Sequence, residues 1–134
     1  MIDIENQVFD TVAKALRAEH PTVWVTGEIV RKPPEFPAVM LVELGNATYR
    51  RTQTSGSMEN HVDLTYEVDV YSNKGKGRKS ECRALAKTVD RAMADMGFTR
   101  TFLRTMPNLA DPAIYRITGR YEAIVDQNET VYRR

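Results

Sequence analysis

The stretch from His61 to Tyr71 alternates without a break: Val62, Leu64, Tyr66, Val68 and Val70 lie on one side of an extended chain, His61, Asp63, Thr65, Glu67 and Asp69 on the other. Side chains on a strand point alternately to its two faces, so this period of two demands a strand with one apolar face and one acidic face. The apolar face has to be covered by other elements. A chain of 134 residues is long enough for one domain with a core and too short for two ordinary ones. The expectation is a single domain, residues 1–134, built around this strand.

Two segments have the helical spacing that could supply the cover. From Asp3 to Ala18 the apolar residues Ile4, Val8, Val12 and Leu16 recur on one face, with Phe9 beside them, Asp3 as the expected N-cap and His20-Pro21 as the stop. From Ser80 to Met96 the stripe is Cys82, Leu85, Ala86, Val89, Met93 and Met96, with Ser80 as the expected cap and Gly97 as the terminator. Thr22 to Val30 reads as a strand containing the single tryptophan, Trp24, and Ala38 to Leu44 as a strand apolar on both faces apart from Glu43. Between them, Lys32 to Pro37 holds three prolines and is expected to be a stiff connector. Thr99 to Met106 and Ala113 to Val125 are further strands, separated by a turn over Pro107 to Pro112. The polar stretch from Gly45 to Asn60 reads as a mobile hairpin arm carrying Arg50 and Arg51. The order is approximately αβββαββ. That makes an α+β fold, a mainly antiparallel sheet with two helices packed on one face.

Charge divides along the chain although it nearly cancels overall, at +1. Residues 1–47 carry seven acids and four bases, whereas residues 48–79 carry four acids and six bases. The middle of the chain therefore holds the basic candidates for binding a partner: Arg50, Arg51, Lys74, Lys76, Arg78 and Lys79. The last four lie in the turn Ser72 to Lys79, ahead of a helix whose N-terminal end is positive, and they suit a carboxylate or a nucleic-acid phosphate. Gly75-Lys76-Gly77-Arg78-Lys79-Ser80 is not a P-loop, because Arg78 stands where the motif needs glycine before its Lys-Ser pair.

Catalytic signatures are missing from the sequence. It contains no Gly-x-Ser-x-Gly elbow, no His-Glu-x-x-His helix and no dinucleotide fingerprint. His20 and His61 sit in different elements, and Cys82 is the single cysteine. No enzyme, metal or cofactor is expected, and Cys82, Met93 and Met96 are read as core packing. Asp63, Glu67 and Asp69 share a strand face that Arg116 and Arg120 would complement, setting register rather than doing chemistry. The longest aliphatic run, Ala38 to Val42, falls far short of a membrane span, and the acidic opening Met1-Ile2-Asp3-Ile4-Glu5 does not read as a secretory signal. A cytoplasmic site of synthesis is the expectation.

Several segments together resemble the tail-terminator, or tail-completion, proteins of long-tailed bacteriophages. They are Tyr66 to Asn73, the glycine and lysine turn, the helix Cys82 to Met96 with Gly97-Phe98, Pro107 to Asp111, and Tyr115 to Glu122. The resemblance spans most of the chain, from the first helix to about Asp126. It implies a structural subunit, with no catalytic residue, that forms a hexameric ring on the last ring of the tail tube. Such a ring stops tube polymerisation and joins the tail to the head. The implied partners are further copies of the chain, the tail tube protein and the head-completion connector protein. DNA would pass through without specific binding, and the implied location is the head-tail junction of the virion. The residues leave a second reading open, a small nucleic-acid-binding regulator using the basic arm and turn.

Overall fold

The computed structural model describes residues 1–48, 61–107 and 111–132. Its elements follow in the order α1 (Glu5–Glu19), β1 (Trp24–Thr26), β2 (Ala38–Thr48), β3 (His61–Ser72), α2 (Arg78–Asp95), β4 (Thr99–Met106), β5 (Tyr115–Asp126) and β6 (Val131–Tyr132). The fold is α+β, two helices and a mixed six-stranded sheet in the order β1-β2-β3-β5-β4, with β6 also pairing β5. β1 runs parallel to β2, and every other pairing is antiparallel. The short β6 is an addition to the order expected from sequence.

The alternating strand is central. β3 pairs with β2 along one side and with β5 along the other over its whole length, from His61↔Asp126 to Ser72↔Tyr115. Its apolar residues Val62, Leu64, Tyr66, Val68 and Val70 are all buried. They meet Val8, Val12 and Leu16 of α1 and Cys82, Leu85, Val89 and Met93 of α2 in one continuous core, so both helices lie on this face. The helices are also tied at one end, where Thr88 Oγ1 of α2 donates to Glu19 Oε2 at 2.6 Å and lies 3.0 Å from His20 Nε2, and Arg91 pairs with Glu19.

Several expected boundaries move. The strand expected over Thr22 to Val30 shrinks to Trp24–Thr26, because the chain beyond Gly27 leaves β2 to make a crossover. β2 is longer than expected: Gly45 to Thr48, assigned to the arm from sequence, continue the pairing with β3 past a bulge between Glu43 and Gly45. The rest of that expected arm, residues 49–60, lies outside the described residues, as do 108–110 of the expected turn. Asp3 is not the formal cap of α1, which is Ile4, although its Oδ1 accepts the Glu5 N–H at 3.1 Å. Ser80 is not the cap of α2. Gly77 is, at φ +83°, so Ser80 sits within the first helical turn.

The second face of the sheet is also partly covered. Ala38, Tyr71 and Ile114 form a separate buried cluster against which Trp24 and Phe36 pack. The crossover thus closes over the β2 end of the face opposite the helices, and Val30 N–H reaches Met40 Sδ at 3.4 Å. The two-faced apolar character of Ala38 to Leu44 is met here within the chain itself. Among the described residues, no helix is long and apolar enough to cross a membrane.

Candidate functional site

The turn between β3 and α2 places four of the six sequence candidates together. Lys74, Lys76 and Lys79 are exposed and Arg78 partly so. The backbone beneath them is anchored: Ser72, fully buried, donates from Oγ to Glu81 Oε1 at 2.6 Å and accepts the Lys74 N–H at 3.3 Å. Gly77 turns the chain into the helix in a left-handed conformation that a side chain disfavours. Arg78 and Lys79 then stand in the first turn of α2, where the helix end is itself positive and cations are unfavourable. None of the four pairs with a carboxylate among the described residues. Arg50 and Arg51, the other two candidates, lie outside the described residues.

A larger basic surface continues from this turn and was not singled out from sequence. Lys79, Arg83 and Lys87 follow at intervals of four along α2, one turn above another. Arg83 and Lys87 line a groove of about 220 Å³ between α2 and β4, opposite Arg100 and Arg104 and over Ala86, Leu103 and Ile117. Arg100 is neutralised by Asp90 at 3.1 Å, and the same carboxylate accepts the Tyr121 hydroxyl at 2.8 Å. Arg104 borders the groove from β4, but its guanidinium stacks at 5.2 Å on Phe102, the ring that Arg120 also covers, and so turns to the sheet face away from the helices. Arg83, Lys87 and Arg104 have no carboxylate partner among the described residues. The helical spacing of these bases was legible, but the groove they line depends on how α2 packs back over β4 and β5, which the spacing alone does not state.

Glu5 and Glu28, by contrast, stand at the other side of the molecule. They line a pocket of about 190 Å³ with Asn6, Phe9, Gly27, Leu41 and Tyr66. Just inside it, Glu43 accepts the Tyr66 hydroxyl at 3.0 Å. Burial raises the Glu43 pKa above the ordinary carboxylate value, the Tyr66 hydrogen bond opposes that, and the negative charges of Glu5 and Asp3 add to the rise. This is a concentration of acid at the edge formed by α1 and β1.

The acidic face of β3 is a paired structural array. Arg120 meets Glu67 at 3.2 Å, and the two are direct register partners. Asp69 Oδ1 accepts from Arg116 Nε at 3.0 Å, Arg116 Nη2 at 2.8 Å and Thr118 Oγ1 at 2.5 Å. Asp69 is fully buried rather than solvated as the alternation implied. A second buried cluster, which joins residues far apart in the chain, lies on the same face of the sheet and includes Tyr71, two residues along β3.

Cys82 is buried, and burial pushes its thiol up to about 12, with Glu81 adding to the shift. Burial disfavours the thiolate that a nucleophile needs, and Cys82 packs in the main core. Among the described residues, no group of three His, Cys, Asp or Glu side chains is placed to hold a metal ion. No family model and no curated protein matches the chain in sequence.

Proposed function

We propose that this chain is a structural tail-terminator subunit of a long-tailed bacteriophage, forming a ring that caps the tail tube and joins it to the head. The observation that carries the reading is a sheet whose two outer strands among the described residues are flanked by opposite charge, basic on α2 beside β4 and acidic on α1 and at Glu28 just after β1. Such a subunit is suited to repeated head-to-tail association. The segments that resemble the family occupy β3, the basic turn, α2 and β5, a contiguous part of the fold. In this reading the tail tube and the head connector meet the two rims of the ring, and DNA moves through the centre without specific contacts. Purified protein mixed with tail tubes should form rings at the tube ends, read by electron microscopy and native mass. Absence of rings both on tubes and at high protein concentration overturns the proposal.

A second reading rests on the unpaired bases of the turn and the groove. A small nucleic-acid-binding regulator would use Lys74, Lys76, Arg78 and Lys79 on phosphates. Reversing these four charges separates the two readings. For a terminator, folding persists and DNA binding stays weak and salt-sensitive. For a regulator, the parent binds duplex DNA tightly and the loss of about four phosphate contacts flattens its log–log salt slope by roughly 3 to 4. Tight parental binding abolished by the reversal favours the regulator.

A further inference from the structure

We propose that copies of this chain join edge to edge, β4 of one copy lying antiparallel to β1 of the next, with Arg83 and Lys87 of the first facing Glu5 and Glu28 of the second. The inference rests on the ring-forming reading above and names the surfaces that make its subunit contact.

Strand directions lead to it first. β1 is parallel to β2, and three antiparallel steps, β2 to β3, β3 to β5 and β5 to β4, make β4 run opposite to β1. A second copy placed beside the first with its helices on the same face therefore brings β1 antiparallel to β4, which extends the sheet with ordinary antiparallel geometry. Both strands end the path of paired strands among the described residues, and each leaves a row of main-chain groups toward the outside. β4 is mostly exposed, with Leu103 at 42%.

Charge commits the occupant to a second copy. Residues 78–106, which contain α2 and β4, carry seven bases and three acids; residues 1–28, which contain α1 and β1, carry five acids and two bases. Arg83 and Lys87 lack carboxylate partners at one edge, and Glu5 and Glu28 lack basic partners at the other, among the described residues. Each charged rim carries apolar surface, the exposed Leu103 beside one groove and the partly exposed Phe9 in the other pocket. Apposition of the two would match both charge and apolar area. Like edges brought together would set bases against bases or acids against acids. Because the two patches differ, the contact is heterologous, and repetition gives a closed ring or an open filament according to the rotation per copy. β1 is three residues long, so the shared ladder is short and side chains must supply most of the affinity.

Charge reversal with rescue tests this on the full chain. One variant carries Arg83→Glu and Lys87→Glu, the other Glu5→Lys and Glu28→Lys; all four positions are exposed. Circular dichroism and thermal unfolding verify that each is folded, and a misfolded variant is replaced by the neutral set Arg83→Gln, Lys87→Gln or Glu5→Gln, Glu28→Gln. Each reversal alone should raise the concentration needed for half-assembly at least tenfold, read by native mass. An equal mixture should assemble again, since each variant retains one intact edge and the reversed edges complement each other. Neutral variants should weaken assembly, and mixing them should restore only every second contact and so rescue less than the reversed pair. Assembly insensitive to the acidic-edge substitutions overturns the proposal, as does loss without rescue by the reversed pair, or a parent that stays monomeric at every concentration and on tubes. Rescue in an assembly with no affinity for tube ends supports the edge pairing and removes the terminator reading. Rings on tube ends that ignore both reversals do the converse.

Discussion

Asp69 and Glu67 occupy equivalent positions on β3, two residues apart, yet their arginine partners have different consequences. Asp69 is fully buried and takes three hydrogen bonds on one oxygen, two of them from Arg116. Removing Arg116 leaves a buried carboxylate with Thr118 alone, so Arg116→Ala should cost roughly 3 kcal/mol in urea unfolding. Arg120→Ala, which breaks a half-exposed pair with Glu67, should cost under about 1 kcal/mol. Equal losses would show that Asp69 is not held as described. Glu43 gives a pH dependence. Its folded-state pKa lies above the ordinary value, so the folded protein binds the proton more tightly than the unfolded chain. Its contribution is therefore full below about 4.5 and is lost as pH rises through the folded value. Glu43→Gln should raise stability at neutral pH relative to the parent while leaving it nearly unchanged at lower pH, as followed by urea unfolding across that range. A parental advantage that grows with pH would contradict the burial of this carboxyl. Glu19 and Asp126 work in the opposite sense. Their lowered values arise first from the Thr88 hydroxyl and the Thr130 N–H respectively, and what they contribute is lost as pH falls.

The two ends of α2 are both closed by glycine at positive φ, but their surroundings differ. At Gly77 nothing lies within 4 Å of where a Cβ would stand; at Gly97 the Val131 Cγ1 lies at 3.1 Å. Gly77→Ala should then cost about 1 kcal/mol, the conformational penalty alone, and Gly97→Ala more, because β6 must also yield. Thermal unfolding of the two variants checks the ranking, and equal effects would mean that β6 gives way freely. The sequence marked Gly97 correctly as the end of the helix: its N–H bonds to Ala94 O at 2.9 Å and that of Phe98 to Met93 O at 3.0 Å. It marked Ser80 wrongly as the start, because a serine before an apolar stripe and a serine within the first turn look alike when the backbone angles at Gly77 are unknown. β1 was overestimated for a related reason. Thr22 to Val30 is β-branched enough for a long strand, but pairing with β2 ends at Thr26↔Met40, where the crossover begins.

Across the whole molecule, short-range pattern was sufficient wherever one face of an element had to be apolar. The period of two in His61 to Tyr71 and the helical stripes before and after it pointed to a strand with two helices on its apolar side, since that arrangement buries those residues together. The pairing of Glu67 with Arg120 could likewise be anticipated from alternation on two strands. The placement of β4 and β1 at opposite edges, the parallel β1–β2 step and the cover over Tyr71 depended on which strands became neighbours. Strand order has no local code, because it is chosen by the combined burial of all the elements. For the same reason the bases of α2 could be listed from sequence, but their facing β4 across a groove, and the acids of α1 and β1 collecting at the far side, were decided by the tertiary structure.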